Sequence, residues 1–314
     1  MTGIGIDIGG TNTKLLVADE KGNIVSVSRF PTEAEKGPED FIKRLAAAVE
    51  KIKNECPEPP SAIGIGAAGD VDPENGILRY APNLKWHNVS LVRPVSEATG
   101  LPCVMENDAN MAAWGAYVME LGRQAGCTAI VLTMGTGIGS GIIINGGLFH
   151  GATGTAGEAG HLTVERGGRL CNCGKRGCLE AYCGSVGIIR RAAEVIPDQA
   201  AYIDKYNPGG IFDPYTLTKA FEAGDETAKK IWEDTGRYLG WGAADLILLF
   251  NPDYIVLTGG VSKARDKFLP SMLEVFKGQS ISTPFEKVQI KASDNPELGS
   301  IGAVLFGLEH CRSL

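Results

Sequence analysis

The sequence predicts a mixed α/β fold arranged in two lobes. Strand-like and helix-like segments alternate along the chain, and a pattern of strand, glycine turn and strand near the N-terminus recurs near the middle. The chain has 314 residues, and a single compact core stops growing at roughly 250 to 300 residues. We therefore expect two lobes with a cleft between them.

The first lobe is predicted to open as an antiparallel meander. Residues 3–8 read as a strand, followed by a turn at Gly9 and Gly10, a strand over 15–18, a second turn, and a strand over 24–30. Residues 38–53 have apolar side chains at helical spacing, with Phe41, Leu45 and Val49 on one face. A buried strand over 62–66, a helix over 89–99 and a strand over 102–105 follow, and Asp108 or Asn110 would cap the next helix.

The second lobe is predicted to repeat this opening. Residues 129–134 and 141–144 read as strands joined by a glycine turn over 135–139, which indicates internal duplication. A long helix over 227–250, a strand over 254–257 and a helix capped by Ser262 follow. The last helix, 301–309, would return to the first lobe. We predict lobes of 1–110, joined by 300–314, and 111–299, with a hinge near 108–125.

Composition excludes several classes of function. The formal net charge is −7 and the pI is near 5.3, and no clustered basic face offers a nucleic-acid surface. No apolar run approaches the roughly 18 residues that span a bilayer, and no basic segment suggests a signal peptide. Four cysteines are scattered without the spacing of a disulfide framework, so we expect reduced thiols and a cytoplasmic protein. These are Cys56, Cys103, Cys127 and Cys311.

The segment from Gly157 to Glu180 holds a candidate metal site. Three cysteines and one histidine suit closed tetrahedral zinc, and four protein ligands leave no open position for water, so the metal would be structural. The predicted ligands are His161, Cys171, Cys173 and Cys178. The alternative is a set of ordinary buried thiols beside a core histidine. Cys183 is a spare ligand or a plain buried thiol, and we favour the thiol.

The two glycine turns are candidate phosphate sites. Glycine lets consecutive backbone N–H groups converge on an anion, although either turn alone is more often a plain tight turn. Asp7 at the end of the first strand could hold Mg²⁺ directly or through water, or could simply stabilise the turn. Thr11 and Thr13 offer hydroxyls to phosphate oxygens.

Six ordered motifs carry a resemblance that covers nearly the whole chain. They are Asp7 to Lys14, Glu106 to Asn110, Gly135 to Gly141, Gly157 to His161, Cys171 to Glu180, and Asn251-Pro252 with Gly259 to Ser262. With them the chain resembles the ROK family of sugar kinases, and within it the zinc-containing bacterial glucokinases. The resemblance implies the actin-like ATPase fold, two lobes of duplicated ribonuclease-H-like topology, with ATP and sugar meeting in the cleft.

The resemblance also implies roles for individual residues. Asp108 would be the general base on the attacking 6-hydroxyl, although taken alone it is equally well a helix cap. The sugar would contact Asn83, Asn107, Asp108, Glu158, His161 and Glu180, with Gly69 in the floor of the site. The nucleotide and its Mg²⁺ would contact Asp7, Gly9, Gly10, Thr11, Asn12, Thr13, Thr136, Gly137, Gly139, Gly259 and Gly260. Lys14 is left out because strand alternation could point it to solvent, and the four tryptophans are interpreted as packing residues.

The predicted function is ATP-dependent phosphorylation of glucose to glucose 6-phosphate. The alternatives are a kinase for fructose, N-acetylmannosamine or allose, and a non-catalytic sugar-binding sensor. Repressors of this family carry an N-terminal DNA-binding domain, for which the early first motif leaves no room. The segments Asn83 to Trp86 and Ala112 to Gly115 favour glucose. The donor stays open among ATP, ADP and polyphosphate, and the resemblance suggests a homodimer or homotetramer.

Overall fold

The computed structural model describes residues 1–311, in which strands and helices alternate as predicted. The strands are β1 (Thr2–Ile8), β2 (Asn12–Asp19), β3 (Ile24–Pro31), β4 (Ile63–Ala67), β5 (Asp70–Asp72), β6 (Ile77–Ala81), β7 (Trp86–Ser90), β8 (Cys103–Asn107), β9 (Ala129–Met134), β10 (Ile138–Ile144), β11 (Gly147–Leu148), β12 (Tyr254–Thr258) and β13 (Gln289–Ala292). The helices are α1 (Pro38–Glu55), α2 (Val92–Thr99), α3 (Asp108–Met119), α4 (Glu180–Cys183), α5 (Ser185–Val195), α6 (Gln199–Tyr206), α7 (Pro214–Glu222), α8 (Glu226–Phe250), α9 (Arg265–Lys277), α10 (Thr283–Lys287) and α11 (Leu298–His310).

The chain divides into two units. Unit 1 consists of residues 1–127 and 141–157 and the segment from residue 296 onward, and unit 2 consists of residues 128–140 and 158–295. The predicted boundary after residue 110 falls inside α3, which packs on α11 and belongs to unit 1. Of the predicted C-terminal segment 300–314, residues 312–314 lie outside the described residues.

The sheet of unit 1 gathers the ends of three parallel strands at one edge. Its order is β3-β2-β1-β4-β8, in which β1 is antiparallel to β2 and parallel to β4, and β4 is parallel to β8. In this register Ile8 lies beside Ala67, and Ala67 lies beside Asn107. The residues that follow these three positions therefore meet at the carboxyl edge of the sheet, where α/β proteins commonly bind ligands.

A second five-stranded sheet, in which β9, β12 and β13 belong to unit 2, has the same order of strands. It runs β11-β10-β9-β12-β13, with β12 parallel to both β9 and β13. Thr133 pairs with Thr258, so the glycine turns that follow β9 and β12 lie side by side. The matching order in the two sheets confirms the internal duplication that the sequence indicates.

Each unit has its own hydrophobic core. In unit 1, Phe41, Leu45 and Val49 of α1 are fully buried against the sheet, as predicted from their spacing. In unit 2, Trp232 of α8 and Phe268 of α9 are fully buried and stack with ring centroids 6.0 Å apart. Trp86, Trp114 and Trp232 are buried packing residues, whereas Trp241 is 44% exposed.

Helix α11 returns to unit 1 and lies against β1, β4 and α3. The approach to β4 is close at Gly64, where a Cβ atom would lie 1.9 Å from the carbonyl oxygen of Ala303. Only glycine fits this position, because any side chain would collide with the helix backbone. Helix α11 thus belongs to unit 1 together with the first strands of the chain.

Two predicted element starts are wrong. The helix predicted over 89–99 begins only at Val92, because Val89 belongs to β7 and pairs with Leu78 in the antiparallel sheet β5-β6-β7. Ser262 does not cap α9. Its hydroxyl donates to the carbonyl oxygen of Gly259 at 2.8 Å, and a 3₁₀ turn over Val261–Ala264 separates it from the helix.

Within residues 1–311, no helix combines the length and the apolar character needed to cross a bilayer.

Candidate functional site

Asn107 fixes the start of α3 at the carboxyl edge of the first sheet. Its side-chain oxygen accepts hydrogen bonds from the backbone N–H groups of Ala109 at 2.8 Å and Asn110 at 3.4 Å. Its amide nitrogen donates to the carbonyl oxygen of Gly69 at 3.1 Å. The prediction of Asp108 or Asn110 as the cap is therefore wrong, because Asn107 in extended conformation is the residue that satisfies the first N–H groups.

Asp108 is the first residue of α3, and its side chain is exposed. One carboxylate oxygen accepts a hydrogen bond from the N–H of Ala109 at 2.9 Å. The positive end of the helix dipole favours a negative charge at this position. An exposed and oriented carboxylate of this kind can accept a proton from a hydroxyl group that approaches it.

The first glycine turn and Asn83 lie together in unit 1. Asn83 is exposed in the turn between β6 and β7, and its Cβ is 3.2 Å from where a Cβ on Gly10 would lie. Gly10, Thr11 and Asn12 are exposed, and the N–H of Gly9 donates to the carbonyl oxygen of Asn12 at 3.1 Å. The edge of this sheet thus places a predicted phosphate loop beside a predicted sugar ligand.

Thr13 is placed differently from Thr11. Its side chain is fully buried, and its hydroxyl shares a 3.0 Å hydrogen bond with the hydroxyl of Thr32. Thr32 also donates to the carbonyl oxygen of Gly9 at 2.7 Å. The Thr13 hydroxyl therefore braces the turn from inside the sheet, which leaves Thr11 as the exposed hydroxyl of the pair predicted for phosphate.

Asp7 lies at the end of β1 beside an ion pair. Lys14 Nζ is 3.9 Å from Asp7 Oδ2 and 2.7 Å from Glu297 Oε2. Desolvation by surrounding atoms raises the pKa of Asp7, Lys14 opposes this shift, and Glu297 adds to it. The expectation that Lys14 points to solvent is wrong, because its side chain is only 15% exposed and lies within ion-pair distance of two carboxylates.

The four predicted metal ligands of unit 2 come together. The ligand atoms of His161, Cys171, Cys173 and Cys178 all lie within 4.8 Å of one another. Antiparallel bridges pair Leu170 with Arg176 and Thr163 with Cys178, which folds the loop back on itself. Sulfur atoms bound at about 2.3 Å in a tetrahedron are about 3.8 Å apart, and the Sγ atoms of Cys173 and Cys178 are 3.8 Å apart.

The chemistry of this cluster fits zinc. Burial raises the pKa of the Cys171 thiol to about 12, so a cation is required to keep it a thiolate ligand at neutral pH. Cys183 lies outside the cluster, where it is fully buried and donates to the carbonyl oxygen of Thr235 at 3.5 Å.

The two ring nitrogens of His161 face different groups. Nδ1 is 3.8 Å from Cys171 Sγ, whereas Nε2 is 3.8 Å from Glu158 Oε2. The ring can therefore use Nδ1 for the metal and keep Nε2 beside Glu158, whose side chain is 65% exposed. A metal on Nδ1 would fix both the tautomer and the orientation of the ring.

Glu180, the first residue of α4, joins the metal loop to the second glycine turn. Its Oε1 accepts from the thiol of Cys171 at 3.4 Å, and its Oε2 accepts from the N–H of Ile138 at 3.1 Å. A Cβ atom on Gly137 would lie 2.0 Å from Glu180 Oε2. The sequence predicts Glu180 as a sugar ligand and Gly137 as a nucleotide ligand. Nothing in their spacing of 43 residues predicts the contact between them.

The second glycine turn is shorter than predicted. The turn ends at Gly137, and Gly139 lies within β10. Thr136 is exposed, and the N–H groups of Ser185 and Val186 donate to the carbonyl oxygens of Gly135 and Thr136. These two hydrogen bonds from the start of α5 to the glycine turn were not predicted from the sequence.

Gly259 and Gly260 follow β12 at the same edge of the second sheet. Both are exposed, and a Cβ on Gly259 would lie 2.6 Å from the carbonyl oxygen of Met134, the last residue of β9. Unit 2 thus brings together the second glycine turn, the pair at 259–260, the metal cluster and two carboxylates.

A family model, two relatives and a solved structure each match nearly the whole chain. The model of the ROK family matches residues 3–309. The chain is 35% identical to a glucokinase of Halalkalibacterium halodurans, over 97% of this chain and 93% of the relative. It is 36% identical to a glucokinase of Streptomyces coelicolor, over 96% of this chain and 95% of the relative. A crystal structure of a ROK family glucokinase from Streptomyces griseus in complex with glucose and AMPPNP matches with a TM-score of 0.82 and 33% identity, covering 98% of this chain and all of that one.

Proposed function

The chain belongs to the ROK family, and on this basis we propose that it transfers the γ-phosphoryl group of ATP to the 6-hydroxyl of glucose. Its similarity to bacterial glucokinases over nearly the whole chain makes it a sugar kinase, and its fold is that of the actin-like ATPases. The choice of glucose rests on relatives that are named glucokinases and on a matching structure that contains glucose.

Asp108 carries the proposed mechanism. Its carboxylate is exposed at the first position of α3, and Asn107 beside it is locked by three hydrogen bonds. Phosphoryl transfer depends mainly on alignment and charge neutralisation, and a carboxylate near the attacking hydroxyl orients that hydroxyl and accepts its proton as the new bond forms. We assign the general-base role to Asp108 for these reasons.

The residues proposed to contact the sugar occur in each unit. In unit 1 these are Asn83 and Asn107, and in unit 2 they are Glu158, His161 and Glu180. Carboxylates and amides reject sugars whose hydroxyl is missing or misdirected, because the unpaired polar group of the protein is then left without a partner. Zinc held by His161 and the three cysteines would fix the loop that carries these side chains.

The nucleotide would lie on glycine turns. In unit 1 the residues from Gly10 to Asn12 are exposed, and in unit 2 the corresponding positions are Thr136 and Gly137, with Gly259 and Gly260 beside them. Asp7 would hold Mg²⁺, which neutralises charge on the phosphates when bound. Thiolate ligands must stay reduced, so we also propose a cytoplasmic location.

The test is a direct measurement of nucleotide products by chromatography. Wild-type protein is incubated with Mg²⁺ and ATP, ADP or polyphosphate, across glucose, fructose, mannose, allose and N-acetylmannosamine. We expect ADP to form from ATP with the highest kcat/KM for glucose. Turnover on another hexose would keep the mechanism and change the substrate, and the absence of turnover on every sugar would refute the proposal.

Asp108→Asn tests the base in the same assay. We expect kcat to fall by about 10²- to 10⁴-fold, while the affinity for glucose changes little. The matched control is Asp266→Asn, which removes an exposed carboxylate from the first turn of α9 and should leave kcat unchanged. A kcat for Asp108→Asn within twofold of wild type would exclude Asp108 as the base.

A further inference from the structure

Glu106 is a buried carboxylate directly before Asn107 and Asp108. Its side chain lies in the interior of unit 1 and is only 2% exposed. Oε1 lies 2.5 Å from Nε2 of His150, and Oε2 accepts from the side-chain amide of Asn110 at 3.1 Å. Asn110 is itself buried, in the first turn of α3. The three side chains form one continuous polar chain beneath the start of this helix.

His150 belongs to the segment that follows β11 and leads to Glu158 along the chain. Two backbone hydrogen bonds hold this segment, from the N–H of Phe149 to Ile142 at 2.8 Å and from the N–H of Ala156 to His150 at 3.1 Å. The imidazole therefore meets Glu106 from a fixed position. The contact joins two stretches of chain that each lead to predicted sugar ligands.

The surroundings of His150 favour its charged form. Its ring borders a cavity of about 390 Å³ in unit 1. The charged and titratable groups around it are Glu106 of β8, Asp72 of β5, Glu74 of the turn after β5, Arg79 of β6 and His310 of α11. Arg79 is already paired with Asp70 at 2.9 Å and Asp72 at 3.2 Å. Glu106 and Glu74 thus remain to attract a proton to His150.

We propose that Glu106 and His150 are positioning residues for the transfer reaction, in which protonated His150 holds Glu106, and through Asn110 the start of α3, in the arrangement that presents Asp108 to the sugar. The proposal rests on the proposed function. Neither residue needs to touch the sugar or the nucleotide for this role.

Loss of the proton would disturb the site for a physical reason. A buried carboxylate whose cationic partner becomes neutral is left undercompensated, so Glu106 must turn, take up water or bind a proton. Each response changes its hydrogen bond to Asn110, which lies two residues from Asp108 in the first turn of α3. A small displacement of a reacting group is enough to slow a reaction that depends on alignment.

The direction of the pH effect follows from the pair. The hydrogen bond to Glu106 raises the pKa of His150 above its usual value, more than burial lowers it. A raised pKa in the folded state means that the pair is intact at low pH and is lost as the pH rises through that pKa. Activity should therefore decline on the alkaline side.

The experiment compares pH profiles of kcat with the protonation state of His150. The chain has four histidines, so their ring signals can be assigned by substitution and followed by NMR from pH 5.5 to 9.5. Kinetic constants are measured over the same range for wild type, His150→Arg, His150→Gln and Glu106→Gln, with direct detection of ADP. His87→Gln is the control, because His87 is exposed on β7 and stacks on Tyr80.

We expect the wild-type kcat to fall with a midpoint equal to the NMR pKa of His150. His150→Arg keeps a cationic donor that does not titrate in this range, so its kcat should stay flat where wild type declines. His150→Gln and Glu106→Gln should lower kcat by about tenfold or more at low pH, where the wild-type pair is intact, because Asp108 is then misaligned. The difference from wild type should shrink at high pH, where wild type has lost the pair, and the KM for ATP should not change. His87→Gln should behave as wild type.

Two results would overturn the positioning role and leave the proposed function intact. One is a wild-type alkaline decline that persists in His150→Arg with that variant folded, as judged by circular dichroism and thermal unfolding. The other is a wild-type kcat and profile in both His150→Gln and Glu106→Gln. Wild-type protein without hexose-dependent turnover at any pH would instead overturn the proposed function, and the positioning role with it.

Discussion

Glu180 is held by a contact that only glycine at position 137 permits. The nearest oxygen of the carboxylate would lie 2.0 Å from a Cβ on Gly137, and it accepts the N–H of Ile138 at 3.1 Å. A methyl group at 137 must therefore push the carboxylate away or displace the turn. The residue predicted for phosphate and the residue predicted for sugar thus depend on each other.

Gly137→Ala is expected to weaken hexose binding. Loss of a hydrogen bond to a charged group costs about 1.5 to 3 kcal/mol, which corresponds to an increase in Kd of roughly 10- to 150-fold. Calorimetric titration with glucose, without nucleotide, measures this effect separately from phosphate binding. The matched control is Gly135→Ala, since no atom lies within 4 Å of a Cβ at that position. Equal Kd values for the two variants would contradict the proposed link.

The surroundings of a residue could be predicted when its partners are close in sequence, and could not be predicted when its partners are distant in sequence. Asn107 and Asp108 stand out because they follow a strand and begin a helix. Lys14 was expected to face solvent, because its partner Glu297 lies 283 positions away and only the return of α11 brings it near. The contact between Glu106 and His150 was missed for the same reason.

At the scale of elements, the loop from His161 to Cys178 contains all four predicted metal ligands within a short stretch of sequence. Its four ligands span 18 residues, from His161 to Cys178, and it has little regular structure of its own. A loop of this kind gains its order from the metal, because the binding energy offsets the entropy of fixing the backbone. Glu180 and His161 should therefore lose their positions when the metal is removed.

Cys173→Ser is expected to lower zinc content and hexose affinity together. Cys173 is exposed, so the change removes a ligand without opening a cavity in the core. Elemental mass spectrometry should find about one zinc per wild-type chain and much less in the variant, with the Kd for glucose raised at least about tenfold, as for other supporting groups of metal sites. Cys56→Ser, outside the cluster, is the control. Full zinc content in Cys173→Ser would refute the ligand assignment.

Prediction of elements succeeded where turns or periodicity were strong. The glycine turns located β1, β2 and β9, and the apolar face of α1 located that helix within two residues at its end. The sequence does not predict the small sheet β5-β6-β7, because its strands are three to five residues long and two of them, β5 and β7, carry mostly polar side chains. Its hydrogen bonds come from pairing across turns, which local composition does not encode.

At the scale of the whole molecule, unit 1 is built from both ends of the chain. Residues of α11 such as Ile301, Val304, Leu305 and Leu308 are buried against elements from the first 120 residues. Burial of one such side chain contributes about 1.5 to 3 kcal/mol. Four of them together are comparable with the total stability of a typical protein, about 5 to 15 kcal/mol. The assembly of the chain into a homodimer or homotetramer remains a prediction.

A chain ending at residue 295 is expected to lose the cooperative folding of unit 1. It lacks α11, so β1 and β4 keep an apolar face exposed. Thermal unfolding followed by circular dichroism should show the main transition lowered by at least about 10 °C or absent, as expected for a loss of several kcal/mol. Full-length protein under the same conditions is the reference. An unchanged transition would mean that α11 is dispensable for the stability of unit 1.

The return of α11 also has a consequence for synthesis. The face of β4 that this helix covers emerges from the ribosome about 240 residues before the helix itself. At about 5 to 20 residues per second, the delay is on the order of 10 to 50 s. During that time the nascent unit 1 displays an apolar sheet, which is a surface that chaperones bind. Unit 1 can be completed only after the codons for α11 are translated, so a chain that terminates before this helix would leave the sheet exposed to aggregation.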